Sequence, residues 1–185
     1  MVAAISAESL AMPKITTSRL YLTPFSVDDA NELFEIRGDR EAMAHWDWPA
    51  DDDIEQTRAI AASMCADMER GSAMLWTVRL AEDPSFAGLC DLSELDGSGS
   101  ADLGFMFARR HWGHGYAREA AEAILNESPR RGITAARARV HEDNARSCRL
   151  LGSLGFRQSA VLPEFEIRPG VRKTCLVFER DLLVA

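Results

Sequence analysis

The chain has 185 residues, of which 46% are hydrophobic and 27% are charged, the balance of an ordinary soluble globular protein. This length predicts one domain with a single hydrophobic core. The formal net charge of −8 argues against a nucleic-acid partner, because phosphate backbones attract basic surfaces. It is compatible with a cationic or amine-bearing substrate, although an acidic surface commonly serves solubility alone.

The cysteines and the start of the chain bear on the compartment. The cysteines form no C-x-x-C pair, which predicts reduced thiols. They are Cys65, Cys90, Cys148 and Cys175. No apolar run approaches the ~20 residues of a membrane span, and the first residues lack the basic start of a signal peptide. We therefore predict a cytoplasmic protein with no membrane partner, a short and poorly ordered tail over residues 1–14, and one domain over residues 15–185.

The first part of the chain predicts one strand and two helices. Residues 17–25 alternate between apolar and polar side chains, as in a strand. Helical spacing of apolar residues follows over residues 27–38. A second helix begins at the acidic cluster 51–53 and ends at Gly71. The cluster could bind a metal, but capping of the helix explains it better.

An aromatic segment separates these two helices. Residues 45–49 read H-W-D-W-P, two tryptophans and a proline in an otherwise polar connection. Such a loop either covers the end of the core or lines a binding site. We predict that His45, Trp46 and Trp48 line a substrate pocket.

The second part of the chain predicts a mixed α/β fold. Strands at 73–80, 86–92 and 101–107 lie in succession, with a glycine-rich turn at 96–100. A helix, a strand at 133–140 and a second helix that ends at Gly155 follow. The strand–helix–strand order implies a right-handed crossover and one parallel pair. Two strands around Pro169 and Gly170, a type II turn, close the chain.

The turn between the third of these strands and the next helix predicts an anion site. Residues 112–117 read W-G-H-G-Y-A directly before a helix, whose first N–H groups lack internal partners. A phosphate-binding P-loop would need a lysine and a hydroxyl residue that are absent here. Gly113 and Gly115 fit a dinucleotide fingerprint, but Arg118 stands where a small residue is needed.

Two blocks together resemble the GNAT acetyltransferase superfamily, and within it the RimJ/RimL-like group of ribosomal-protein N-terminal acetyltransferases. Residues 112–117 are similar to its pyrophosphate loop, Q/R-x-x-G-x-G/A, with Trp112 at the Gln or Arg position. An alternative register starts at Arg110 and keeps both glycines in the loop. About thirty residues later, N-A-R-S at 144–147 and L-L-G-S-L-G-F at 150–156 are similar to the second block.

The resemblance implies a GNAT fold and its activity. The fold is a mostly antiparallel mixed sheet of about six to seven strands, flanked by about four helices and splayed at the central parallel pair. The activity is transfer of an acetyl group from acetyl-CoA, without a metal, to a primary amine of a protein N-terminus or a small molecule. A homodimer is also implied. The alternative is a non-catalytic acyl-CoA-binding sensor or interaction module.

The resemblance also implies which residues bind the cofactor. The strand end at residues 105–107 would hold the pantetheine, and a backbone N–H near Met106 or Phe107 would polarise the thioester. Asn144 would hold an amide of the cofactor, or serve only as a helix cap. Arg109, Arg110 and Arg118 would add charge for the phosphates or form a solvated basic face. The implied cofactor-binding set is Phe105, Met106, Phe107, Trp112, Gly113, His114, Gly115, Tyr116, Ala117, Asn144 and Ser147.

For the proton transfers, the resemblance implies Ser147 as the acid, because it matches the serine of the N-x-x-S block, although it could instead only cap or pack the helix. The tyrosine that many GNAT enzymes carry after the second block is absent. Glu166, ten positions after Phe156, is the first candidate base, although it could instead form a cross-strand ion pair with Lys173. Asp102 is the second candidate. Other acidic residues that could serve are Asp91, Glu94 and Glu164.

Overall fold

The computed structural model describes residues 12–183. Alternating apolar residues place its strands in one eight-stranded sheet, and four α-helices lie on the faces of this sheet. The strands are β1 (Ile15–Thr16), β2 (Leu20–Pro24), β3 (Met74–Leu80), β4 (Phe86–Ser93), β5 (Ser100–Phe107), β6 (Ala135–His141), β7 (Arg157–Arg168) and β8 (Val171–Asp181). The helices are α1 (Ala30–Arg37), α2 (Ile54–Glu69), α3 (Tyr116–Glu127) and α4 (Ala145–Ser153).

The sheet contains one parallel pair, and that pair is short. The strand order is β1-β2-β3-β4-β5-β6-β8-β7, and every neighbouring pair except β5–β6 is antiparallel. The β5–β6 pairing runs only from Ser100 opposite Ala135 to Asp102 opposite Arg137. The predicted mixed fold with a splayed central pair is therefore confirmed, with eight strands because the two-residue β1 adds to the sheet.

Apolar side chains on the two faces of the sheet pack against different helices. One core cluster contains Ile124 of α3 and Leu151 of α4. The other contains Leu33 of α1, Ala61 of α2 and Met106 of β5. Side chains alternate along a strand, so every second residue of β5 turns toward the helices α1 and α2. We call this side of the sheet the α1–α2 face.

A buried ion pair holds the connector, residues 38–53, between α1 and α2. The predicted cap of α2 is Asp53, which accepts a hydrogen bond from the Gln56 N–H at 3.1 Å. Asp51 has a different role, because its carboxylate accepts from Arg37 Nε at 2.7 Å and Arg37 Nη2 at 2.8 Å. The Thr57 hydroxyl donates to the same carboxylate at 2.5 Å. This bidentate contact ties the end of the connector to α1.

The N-terminal boundary of the described structure contacts the core. Met12 packs against the first core cluster, and the Trp76 indole N–H donates to the Pro13 carbonyl at 2.8 Å. The predicted tail covers residues 1–14, of which residues 1–11 lie outside the described residues. Within residues 12–183, no helix has the length and apolar character needed to cross a membrane.

Candidate active site

The parallel strands β5 and β6 separate toward their C-terminal ends. Their last paired residues, Asp102 and Arg137, form an ion pair with 2.7 Å between Arg137 Nη2 and Asp102 Oδ1. Met106 and His141 each lie four residues further along. They are therefore level with each other and on the same α1–α2 face of the sheet. We call the opening between these strand ends the β5–β6 gap.

Backbone N–H groups of β5 face this gap. The Ala108 N–H donates to the Ala87 carbonyl at 3.0 Å, on the β4 side. Because hydrogen-bonding directions alternate along a strand, the N–H groups of Phe105 and Phe107 point away from β4, into the gap. The Phe107 carbonyl accepts from the Trp112 indole N–H at 2.8 Å. Of the two predicted thioester contacts, this alternation favours Phe107 over Met106.

The glycine turn lies at the end of β5, directly before α3. Gly113 and Gly115 both have φ of 80°, which favours glycine, and Gly115 is the N-cap of α3. A Cβ at Gly113 would meet nothing within 4 Å, so the backbone there is open to a ligand. Tyr116 and Ala117 form the first turn of the helix, whose N–H groups favour an anion. The turn therefore fits the predicted pyrophosphate site.

Side chains from distant segments hold this turn in place. Arg19 donates to the His114 carbonyl at 3.0 Å and pairs with Glu119 of α3 at 2.6 Å. The guanidinium of Arg146 on α4 lies 4.6 Å from the centre of the Trp112 ring, a cation–π contact. The two sequence blocks that carry the GNAT resemblance thus touch each other in the structure.

The neighbouring arginines are balanced by acidic residues near α1. Arg109 pairs with Asp39 at 2.6 Å and also with Glu41. Arg110 pairs with Glu35 at 2.5 Å. These two guanidinium groups therefore anchor the start of the turn to the α1 side, and their charges are already compensated.

The second block forms the start of α4. Asn144 is the N-cap, and its Oδ1 accepts a hydrogen bond from the Ser147 N–H at 3.1 Å. Both residues are half-buried. Among the described residues, none forms a hydrogen bond with the Ser147 hydroxyl. That hydroxyl is available to a ligand, as its predicted role as the acid requires.

The two first candidate bases both lie in ion pairs. Asp102 accepts from Arg137 Nε at 2.8 Å. Glu166 is exposed and pairs with Arg172 at 2.9 Å. The alternative prediction, an ion pair between Glu166 and Lys173, is wrong. A register shift between Glu166 and Arg168 places Arg172 opposite Glu166.

A third carboxylate, Asp91, occupies a different environment. It lies on β4 opposite Gly104, and a Cβ on Gly104 would come within 2.2 Å of Asp91 Oδ1. The carboxyl group therefore fills the space that a side chain at Gly104 would take, on the α1–α2 face. Burial raises the pKa of Asp91 to about 7, a hydrogen bond with Ser93 lowers it, and the charge of Asp102 raises it. Such a pKa suits a proton acceptor near neutral pH.

The sequence placed Asp91 only among the other acidic residues that could serve as the base. Its distinguishing feature, the pairing with Gly104, depends on the register between β4 and β5. The other further candidates, Glu94 and Glu164, are exposed.

A cavity of about 230 Å³ lies where the connector meets β6 and the β7–β8 hairpin. Trp46 and Trp48 of the connector line it, together with His141, Arg168 and Lys173. His45, the third predicted pocket residue, is exposed, and its Nδ1 lies 3.2 Å from Asp143 Oδ1. The structure thus brings the two tryptophans to one cavity beside the β5–β6 gap.

His141 is a buried polar residue that sequence reasoning missed. The residue is 4% exposed, and its Nε2 lies 3.0 Å from Asp47 Oδ1. Its Nδ1 is buried without a hydrogen-bond partner among the described residues. Two features of the sequence could have indicated this contact. Asp47 lies in the aromatic segment, and His141 lies three positions before Asn144.

His45, His141 and Asp143 have potential ligand atoms within 4.8 Å of one another. However, Lys173 Nζ lies 3.4 Å from Asp143 Oδ2 and already balances that carboxylate. We therefore assign no metal to this group.

Comparison with known proteins identifies the family. The acetyltransferase (GNAT) domain matches residues 19–157. The uncharacterised N-acetyltransferase p20 of Bacillus licheniformis is 27% identical over 162 residues, which cover 86% of this chain and 90% of p20.

Two solved structures show the same fold. The ribosomal L7/L12 α-N-protein acetyltransferase RimL, in complex with coenzyme A, has a TM-score of 0.80 at 17% identity, covering 90% of this chain and 96% of RimL. The spermidine N-acetyltransferase of Vibrio cholerae, in complex with CoA and spermine, has a TM-score of 0.78 at 18% identity, covering 90% of this chain and 98% of that one.

These findings confirm the resemblance inferred from the two sequence blocks and the predicted use of acetyl-CoA as co-substrate. Since the domain match spans well over half of the residues, this chain belongs to the GNAT acetyltransferase family.

Proposed function

We propose that this protein transfers the acetyl group of acetyl-CoA directly to a primary amine, on a protein N-terminus or a small molecule. The observation that carries the proposal is the β5–β6 gap with the glycine turn of α3 at the same end of the sheet. A gap that backbone N–H groups face suits the pantetheine arm, and a helix N-terminus suits the pyrophosphate.

Each part of the site has a role in binding. Gly113 and Gly115 let the backbone approach the pyrophosphate closely. The Phe107 N–H would donate to the thioester carbonyl oxygen, where negative charge develops during attack. The Asn144 amide would contact the pantetheine while its Oδ1 caps α4. Acetyl-CoA supplies an activated acyl group with a thiolate leaving group.

Two proton transfers accompany the reaction. The attacking amine, with a pKa of about 8 to 10, must lose a proton. We assign this proton to Asp91, because its pKa is raised to about 7 and no described residue forms an ion pair with it. The carboxylates of Asp102 and Glu166 are both paired with arginines. The Ser147 hydroxyl would donate a proton to the departing thiolate.

The fold alone does not choose the acceptor. RimL is named for acetylation of a protein α-amine, and the Vibrio cholerae protein for acetylation of spermidine, although both share this fold. The acceptor is therefore determined by the cavity beside the gap. A homodimer stays a prediction, which light scattering on the purified protein would test.

Matched glycine variants test the cofactor site. Gly113 and Gly97 have φ of 80° and 81°, and a Cβ at either would meet nothing within 4 Å. Replacement by alanine therefore strains both backbones similarly. We expect Gly113→Ala to weaken acetyl-CoA binding in calorimetry at least tenfold, and Gly97→Ala to leave it unchanged. Equal affinities for the two variants would contradict the assignment of the turn.

Turnover is tested by release of free CoA thiol with a panel of peptides and small amines. We expect thiol release that depends on the acceptor and on Asp91. Binding of acetyl-CoA without thiol release from any acceptor would instead support the non-catalytic alternative.

A further inference from the structure

The cavity beside the β5–β6 gap is basic, although the chain as a whole is acidic. The sequence contains 29 acidic and 21 basic residues. Yet Arg40, Arg168 and Lys173 line the cavity beside His141, and none of its lining side chains among the described residues is acidic. Of the three cations, Lys173 is paired with Asp143. A local reversal of charge in a recess indicates the charge of the ligand that enters it.

Neither of the two guanidinium groups that line the cavity has a carboxylate partner among the described residues. Arg40 is exposed and forms no hydrogen bond or ion pair with any described residue. Arg168 donates through Nη1 to the backbone carbonyl of Asp47 at 3.0 Å, and its other donors have no partner within residues 12–183. The nearby carboxylate of Asp47 is already shared, because it accepts from Arg139 at 2.8 Å and contacts His141 at 3.0 Å.

These groups differ from most other arginines near the site. Arg37, Arg109 and Arg110 are each paired with a carboxylate within 2.7 Å. A guanidinium has several donors in a planar fork, which match the oxygens of a carboxylate or a phosphate. The unpaired donors of Arg40 and Arg168 therefore suit an anionic group of a ligand.

His141 offers the complementary contact. A carboxylate only accepts hydrogen bonds, so Nε2 carries the hydrogen that faces Asp47. In the neutral ring, Nδ1 is then an acceptor, and it is buried without a partner among the described residues. An acceptor nitrogen of this kind suits an N–H donor, such as an amine.

The position of His141 relates the cavity to the reaction. It lies four residues beyond Arg137 on β6, as Met106 lies four residues beyond Asp102 on β5, so the two residues are level on opposite sides of the β5–β6 gap. An amine bound at His141 would thus lie beside the gap. The cavity of about 230 Å³ equals the liquid volume of about seven or eight water molecules, enough for a group the size of an amino acid.

We propose that this cavity binds an acceptor that carries a carboxylate or phosphate next to its primary amine. Arg168 and Arg40 contact the anionic group, His141 contacts the amine, and Trp46 and Trp48 cover the carbon atoms between them. This proposal rests on the proposed acetyltransferase function and specifies its substrate class. Polyamines, which carry only positive charge, are poor acceptors.

Matched acceptor pairs test the proposal. One pair is the peptide amides Ser-Asp-Ala and Ser-Asn-Ala, a second is a free amino acid and its amide, and a third is phosphoethanolamine and ethanolamine. The pairs distinguish an acidic peptide, a free carboxylate and a phosphate as the source of the anion. In at least one pair we expect kcat/KM to be about 10- to 100-fold higher for the anionic member, and spermidine to rank below it.

Variants of two β7 arginines provide the control. Arg168 lines the cavity, whereas Arg157, on the same strand, is exposed and does not. We expect Arg168→Gln to abolish the preference for the anionic member, and Arg157→Gln to retain it. The proposal is overturned if neutral or cationic acceptors react equally well, or if the preference survives Arg168→Gln.

Binding measurements separate this proposal from the proposed function. If no acceptor releases thiol, the proposed function fails. Calorimetry then measures the affinity of the same acceptor pairs in the presence of CoA, which tests the ligand preference of the cavity without turnover. Tighter binding of the anionic member that depends on Arg168 supports the cavity assignment, and equal binding within every pair refutes it.

Discussion

Replacement of Asp91 by asparagine should increase stability and decrease activity. The substitution keeps the size of the side chain and removes its ionisation. In the folded protein the pKa of Asp91 is raised from 3.8 to about 7. Between these two pH values the folded state holds a proton that the unfolded state has released. The free energy of unfolding therefore falls as the pH rises from about 4 to about 7.

The size of the effect follows from the shift in pKa. A shift from 3.8 to about 7 is about three pKa units, and at about 1.36 kcal/mol per unit it costs about 4 kcal/mol above pH 7. This is an upper limit, because the residue keeps partial contact with solvent. We expect Asp91→Asn to be more stable than the wild type at pH 8 by up to this amount, and equally stable at pH 4.

Two assays follow the two consequences. Denaturant unfolding at pH 4 and pH 8 measures the free energy of unfolding of both proteins. Thiol release between pH 5.5 and pH 9 measures kcat/KM. The wild-type profile should rise through an apparent pKa near 7 from Asp91, before the titration of the acceptor amine. Asp91→Asn should lose this rise and about 10²- to 10⁴-fold in kcat.

Either half of the result can refute the reasoning. An Asp91→Asn enzyme with a wild-type rate and pH profile would exclude Asp91 as the base. A variant with wild-type stability at pH 8 would show that burial of the ionised Asp91 carboxylate does not destabilise the folded protein. Asp102→Asn and Glu166→Gln are matched controls, because both candidates lie in ion pairs. If one of them removes the pH-dependent rise instead, that residue is the base.

Three further substitutions test other parts of the structure. Ser147→Ala should lower kcat about 10²-fold in the thiol-release assay, and a wild-type rate would remove Ser147 from the mechanism. Gly104→Ala should lower the free energy of unfolding, measured with denaturant, by about 1–3 kcal/mol, because its Cβ would lie 2.2 Å from Asp91 Oδ1. In an Asp91→Ala background, the same substitution should lower the free energy of unfolding by less. Arg37→Met should cost about 3–5 kcal/mol because it leaves Asp51 buried without its partner, and a much smaller loss in the same assay would contradict this role.

Local signals predicted the cofactor side of the site. Gly113 and Gly115 predicted a turn before a helix, and both residues have φ of 80°. Asn144 predicted a cap, and its side chain accepts from the Ser147 N–H. Such features depend on residues a few positions apart, so their physical causes are contained in short stretches of chain.

Contacts between distant residues could not be predicted in the same way. The ion pair of Glu166 depends on a register shift in the β7–β8 hairpin, and one residue of slip changes its partner from Lys173 to Arg172. The contact of Asp47 with His141 joins residues 94 positions apart. No spacing rule connects such residues, because the sheet order and the path of the connector bring them together.

The sequence by itself determined the family, and it predicted the glycine turn before α3 and the cap of α4. Those properties follow from a glycine turn, a helix N-terminus and a capped helix, which are local backbone features. Only the tertiary structure decided the surroundings of Asp91 and the lining of the cavity. The raised pKa of Asp91 results from burial over Gly104, and the positive charge of the cavity results from the meeting of the connector, β6 and the β7–β8 hairpin. Desolvation and local charge depend on which groups are close in space. These segments are distant in the sequence and come close only when the chain is folded.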